Sequence, residues 1–116
     1  MGRITTHVLD TAHGRPGAGM AVRLSLLGPA PRLLAEATLN GDGRCDAPML
    51  QGEALEAGEY ELTFGVGDYF ARLGLDLSQP RFLDWVVLRF GVADPAQHYH
   101  VPLLVTPWSY GTYRGS

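Results

Sequence analysis

The sequence predicts an all-β sandwich. Apolar and polar residues alternate in six short runs, those runs are bounded by Gly, Pro, Asn and Asp, and only one brief segment has helical character. With 46% hydrophobic and 18% charged residues, the 116-residue chain has the composition of a folded protein rather than a disordered one. Its length fits one domain spanning residues 1–116. A chain of this size buries about 65% of its unfolded surface when folded alone, enough for a core with little to spare.

The elements follow in order. Residues 4–9 read as a strand, with Ile4, Thr6 and Val8 on one side and Thr5, His7 and Leu9 on the other. A turn-rich stretch, 10–17, follows. Strands are expected at 21–27 and 32–39, and Asn40, Gly41, Asp42 and Gly43 then form a hairpin-type turn, because Gly and Asn/Asp tolerate positive φ. Residues 60–66 make another strand with Glu59, Glu61 and Thr63 facing outward, 82–92 a long one, and 99–106 the last. The one helix is expected at 69–73, capped by Asp68 and stopped by Gly74. Six to eight short strands with one short helix result, about eight if some are too short to show alternation.

The last strand is unusual. Tyr99, Val101, Leu103 and Val105 point to one face, and His98, His100, Pro102, Leu104 and Thr106 to the other. A sandwich strand needs only one apolar face. The second face is therefore expected to be covered, most simply by another copy of the chain. Pro102 lacks a ladder donor and argues against regular pairing on both sides along the strand.

Net charge and composition exclude several classes. At a formal charge of -3 with no basic run, nucleic acid is not an expected partner. No apolar run is long enough for a membrane span or signal peptide, so a soluble, cytoplasmic protein is expected. Gly2 resembles a myristoylation start, but no basic patch supports it. Cys45 is the sole cysteine, which rules out an internal disulfide and suits a small core filler.

Four groups of residues can carry chemistry. His7 is a strand histidine. His98 and His100, at i and i+2, share a face, which suits acid/base work or metal ligation. Together with His7 they match the ligand number of a catalytic zinc site, although no carboxylate accompanies them. Arg44 follows the Gly43 turn, and its planar fork suits an imide or carboxylate. The stretch from Asn40 is not a calcium loop, because its fifth position is Arg44 and its twelfth Gln51, without the bidentate acid. The C-terminal Tyr113, Arg114, Gly115 and Ser116 supply a phenol, a second cation, a flexible residue and a hydroxyl beside the terminal carboxylate. Neither Ser109 nor Ser116 sits in a nucleophile motif, so covalent catalysis is not expected.

Three segments carry a resemblance to a known family: Thr6 to Thr11 with Gly14, Arg15 and Pro16; Asp42, Gly43 and Arg44; and His98 to Leu104 running on to Tyr113, Arg114, Gly115 and Ser116. In these segments the chain resembles the 5-hydroxyisourate hydrolases, the transthyretin-related enzymes of urate breakdown, over essentially its whole length. The resemblance implies a transthyretin-like β-sandwich and a homotetramer with sites at the dimer–dimer interface. It also implies metal-free, cofactor-free hydrolysis of an oxidised purine. His7, Arg44, His100 and the tail from Tyr113 to Ser116 become site residues, with His98 alongside. In the transthyretin hormone carriers the histidine run and the terminal tetrapeptide are both replaced, so a carrier without catalysis is the alternative. One departure is local: Gly111 stands where the family has serine, with Ser109 nearby. The stretch 75–87 is also less typical of the family.

Overall fold

A computed structural model describes residues 1–115, and Ser116 lies outside the described residues. The chain forms two sheets packed face to face, as the alternation predicts. Its strands are β1 (Arg3–Asp10), β2 (Arg15–Pro16), β3 (Ala21–Leu26), β4 (Arg32–Thr38), β5 (Leu50–Gln51), β6 (Gly58–Gly65), β7 (Trp85–Val92), β8 (His98–Val105) and β9 (Tyr110–Thr112). One sheet runs β2-β1-β8-β9, with β5 also paired to β1; the other runs β4-β3-β6-β7. The core between them is built from inward residues such as Ile4, Val8, Leu24, Leu62, Phe64, Leu103 and Val105, all fully buried. No helix is long and apolar enough to cross a membrane among the described residues.

The pairing of β1 with β8 positions everything that follows. It is parallel, in register from Arg3 opposite His98 to Asp10 opposite Val105. Paired residues of a parallel ladder project to the same side. The outer face therefore gathers Arg3, Thr5, His7 and Leu9 from β1 with His98, His100, Pro102 and Leu104 from β8. The inner face of β8, Tyr99, Val101, Leu103 and Val105, is buried as expected. Antiparallel β9 covers only Leu103 to Val105 of β8. The earlier half of that edge, around Pro102, is left to a single bridge from the tail, in keeping with the missing proline donor.

Three expectations need correction. The helix α1 runs Val66–Arg72 and begins at Gly65 without a side-chain cap. Asp68 lies inside its first turn, and its carboxylate instead accepts a 2.6 Å hydrogen bond from Arg81. The long strand starts only at Trp85, because Arg81 is tied to Asp68 and Asp84 and the Gly67 N–H donates to the Asp84 carbonyl, holding 81–84 as a loop. The turn at Asn40 is real but joins no hairpin. It carries the chain from β4 in one sheet to a bridge between Arg44 and His7 in the other. Beyond these, β2, β5 and β9 have two or three residues each, too short for alternation to reveal.

Candidate active site

The candidate site is assembled from three chain segments on the outer face of β1 and β8. The first is the Asn40 turn. Asn40 Oδ1 accepts from the N–H groups of Asp42 at 2.9 Å and Arg44 at 3.1 Å, and the Asn40 carbonyl accepts from the Gly43 N–H at 2.9 Å. Gly43 adopts φ +73°, and a Cβ there would stand 2.5 Å from the Val8 carbonyl oxygen. Only glycine meets both demands. The Gly43 carbonyl can then accept from the Val8 N–H at 2.9 Å, which lays Arg44 beside His7.

The second segment is the histidine pair. The Thr5 hydroxyl lies 2.7 Å from His98 Nε2 and 2.8 Å from His100 Nδ1, so one side chain on β1 holds both rings on β8. The third is the tail. The Gly115 N–H donates to the His100 carbonyl at 2.8 Å, and a Cβ on Gly115 would come within 2.6 Å of the His100 ring. A glycine is required there for the chain end to pass so close to the imidazole.

These groups border a cleft of about 400 Å³ lined by Arg3, Thr5, Arg44, Cys45, His98 and His100, among others. Its three neighbouring histidines are all shifted in the same direction. Burial first, then the Arg44 guanidinium and the neighbouring histidines, hold His100 below the usual imidazole value. Burial and Arg44 lower His7, outweighing the opposing pull of Asp42. Burial, then Arg3 and Arg114, lower His98. An unperturbed imidazole titrates near about 6.5, so all three are neutral at physiological pH and able to accept a proton. Cys45 is inert by comparison, since burial and Asp46 push its thiol up.

The structure thus gathers His7, Arg44, His98, His100 and Gly115, but not every predicted site residue. Tyr113 lines a separate apolar cleft with Leu88, Phe90, Tyr99 and Val101. The Arg114 guanidinium stacks 4.1 Å over the Tyr99 ring and donates to Gln97 Oε1 and the His98 carbonyl, at the sheet edge rather than among the histidines. Ser116 falls outside the described residues. The Ser109 hydroxyl is held by Thr106 in a local turn at 2.9 Å, so nothing in the structure turns it toward the histidines. No three His, Cys, Asp or Glu side chains form a metal-holding group among the described residues. Sequence reasoning missed Arg3 and Thr5, whose roles depend on the β1–β8 register.

Two four-stranded paths of a β-sandwich, one short helix after the sixth strand, and a polar outer face define a transthyretin-like protein. Sea bream transthyretin superposes with a TM-score of 0.86 at 21% identity, covering 97% of this chain and 94% of that one, a likeness of fold. The profile of the HIUase/Transthyretin family matches residues 4–115, and the chain belongs to that family. A protein of Ralstonia nicotianae named 5-hydroxyisourate hydrolase is 59% identical over the full length of both chains. One of the same name from Pseudomonas aeruginosa is 56% identical, covering 100% of this chain and 93% of the other. Klebsiella pneumoniae 5-hydroxyisourate hydrolase superposes with a TM-score of 0.83 at 34% identity over the whole of both chains. The chain also superposes on (S)-allantoin synthase with a TM-score of 0.94 at 48% identity, covering 99% of itself but only 44% of that longer chain. It stands with the hydrolases of the family and is an enzyme of that class.

Proposed function

We propose that this protein hydrolyses 5-hydroxyisourate to 2-oxo-4-hydroxy-4-carboxy-5-ureidoimidazoline in urate breakdown, with His100 as the general base. The observation that carries the reading is that His98 and His100 line one cleft together with the Arg44 guanidinium, with His7 bridged to Arg44 beside it. The named hydrolases at 59% and 56% identity support the substrate. His100 takes a proton from water as the water oxygen attacks a ring carbonyl carbon. Arg44 donates to the oxyanion that develops. The ring C–N bond then breaks, and the proton passes from His100 to the departing nitrogen, so that water is added across the bond. His98 continues the polar wall, and His7, bridged to Arg44, stands beside it. Neither a metal nor an organic cofactor has a step in this scheme.

The proposal includes a cytoplasmic homotetramer whose dimer–dimer interface covers this face. The exposed Trp108 and Tyr110, at 64% and 48%, and the half-covered outer face of β8 support it. In such an assembly Tyr113 and Arg114 of the tail wall the substrate-binding cleft.

The test is the absorbance decay of freshly generated 5-hydroxyisourate with and without protein. Acceleration that disappears in His100→Ala is the expected result. Binding without acceleration would instead make the protein a carrier. Activity that vanishes on chelation and returns with zinc would overturn the metal-free scheme.

A further inference from the structure

The Thr5 hydroxyl sits between two histidine nitrogens and makes no other hydrogen bond among the described residues. A hydroxyl has one proton and two lone pairs, so it donates to one ring and accepts from the other. We propose that Thr5 is a positioning residue that donates to His98 Nε2 and accepts from His100 Nδ1–H, leaving His100 Nε2 with a free lone pair. This rests on the reading of His100 as general base.

The geometry leaves few arrangements. If Thr5 donated to His100 Nδ1, the His100 proton would have to sit on Nε2, and neither nitrogen of that ring could take a proton from water. If both rings donated to Thr5, the hydroxyl proton would lack an acceptor among the described residues. Two arrangements satisfy the hydroxyl and both facing nitrogens together, and of these only the one with the proton on His100 Nδ1 leaves that ring able to act as a base. It also suits the chemistry: when Nε2 takes the proton of water, Nδ1–H keeps its bond to the Thr5 oxygen and nothing needs to reorganise. The partner on the second nitrogen is what selects the tautomer of a catalytic histidine.

Two further features support the assignment. Gly115 lies against the opposite edge of the His100 ring, so the imidazole is wedged between the tail and Thr5 and its orientation is set from both sides. Neither His98 Nδ1 nor His100 Nε2 has a hydrogen-bond partner among the described residues. Thr5 is therefore the one group there that fixes which ring presents a lone pair. His98 acts through it, as the acceptor that orients the hydroxyl.

The experiment is NMR of the intact protein carrying ring-15N histidine, at neutral pH, beside steady-state kinetics of Thr5→Val and Thr5→Ser. In the wild type and in Thr5→Ser, His100 is expected to carry its proton on Nδ1 and His98 on Nδ1. Thr5→Val loses that pattern and lowers kcat by about 10²-fold or more, the share of a general base, with KM little changed; Thr5→Ser keeps most of the rate. A wild-type spectrum with the His100 proton on Nε2 overturns the proposal, as does a Thr5→Val enzyme at full rate. Should Thr5→Val not fold, the wild-type and Thr5→Ser spectra still decide. If wild-type protein left 5-hydroxyisourate to decay spontaneously, the hydrolase reading would fall, while the tautomer spectrum would judge the Thr5 linkage separately.

Discussion

β1 carries two polar clusters that contain histidine, and they differ in how completely their groups are paired. At its C-terminal end Asp10, 1% exposed, accepts from the backbone N–H groups of Ala12 and His13, from His13 Nδ1 at 2.7 Å and from the Tyr69 hydroxyl at 2.8 Å. Burial pushes this carboxyl up, but the hydrogen bonds from Tyr69 and His13 together outweigh it and hold it below the usual carboxylate value. Tyr69 is pushed up to about 12, chiefly by burial and then by Asp10, and stays a donor. On the outer face, by contrast, His7, His98 and His100 are neutral beside Arg3 and Arg44, and ring nitrogens remain without partners among the described residues. A buried carboxylate that accepts from four donors rigidifies the fold around it. A cluster with lone pairs and cations facing a cleft is set up to act on something else.

That contrast can be broken at several points. The largest effect is expected from deleting residues 113–116. Removing Gly115 from the His100 ring should abolish turnover in the absorbance assay while circular dichroism still reports a folded sandwich. Full activity of the truncated protein would remove the tail from the site. Next, His100→Ala should lower kcat/KM by about 10²–10⁴-fold, the usual share of a general base, without changing thermal stability much. A rate equal to wild type would place the base elsewhere.

Arg44→Met should cost about 10²–10³-fold in kcat, the scale of one lost oxyanion donor. The variant also sharpens the electrostatic side of the comparison. Arg44 helps to lower His7 and His100, so its loss should move the acid limb of kcat/KM to higher pH, part of the way back toward the unperturbed value. An unmoved limb would mean that burial alone sets those histidines.

In the paired cluster the expectation reverses. Tyr69→Phe should lower stability by roughly 1.5–3 kcal/mol, the range for a hydrogen bond to a charged group, and leave kcat/KM unchanged. Denaturant unfolding and the absorbance assay together read this split. The smallest effect is a pH dependence of stability with two windows. The outer histidines have folded pKa values below their unfolded ones. Their contribution is intact above about 6.5 and is lost as pH falls toward the folded values. Asp10 is also depressed, so its contribution is present above the usual carboxylate value and is lost only as pH falls through its lower folded one. Asp10→Asn should erase the second window and spare the first.

Much of this molecule was legible in one dimension. Alternation assigned the inner and outer faces of β1 and β8, because a strand's side chains repeat every two residues whatever the strand pairs with. It therefore placed His98 and His100 together, and His7 opposite Ile4 and Val8. The motifs around Arg44 and the tail carried the family. The helix start at Gly65 was less legible, since no side chain caps it and Asp68 is drawn to Arg81, thirteen residues on. The turn at Asn40 was recognised by its residue types, but those types do not say which sheet the next residue joins.

What the sequence determined by itself was the periodicity, the turn chemistry and the residue types able to bind anions and move protons. Tertiary structure alone decided that β1 and β8 run parallel in a register that sets Thr5 opposite His100. It also decided that Gly43 brings Arg44 against His7, and that Arg114 turns to Tyr99 while Gly115 meets the imidazole. The reason is physical: side-chain direction follows from local backbone geometry, whereas strand partner and register follow from burying the whole core at once.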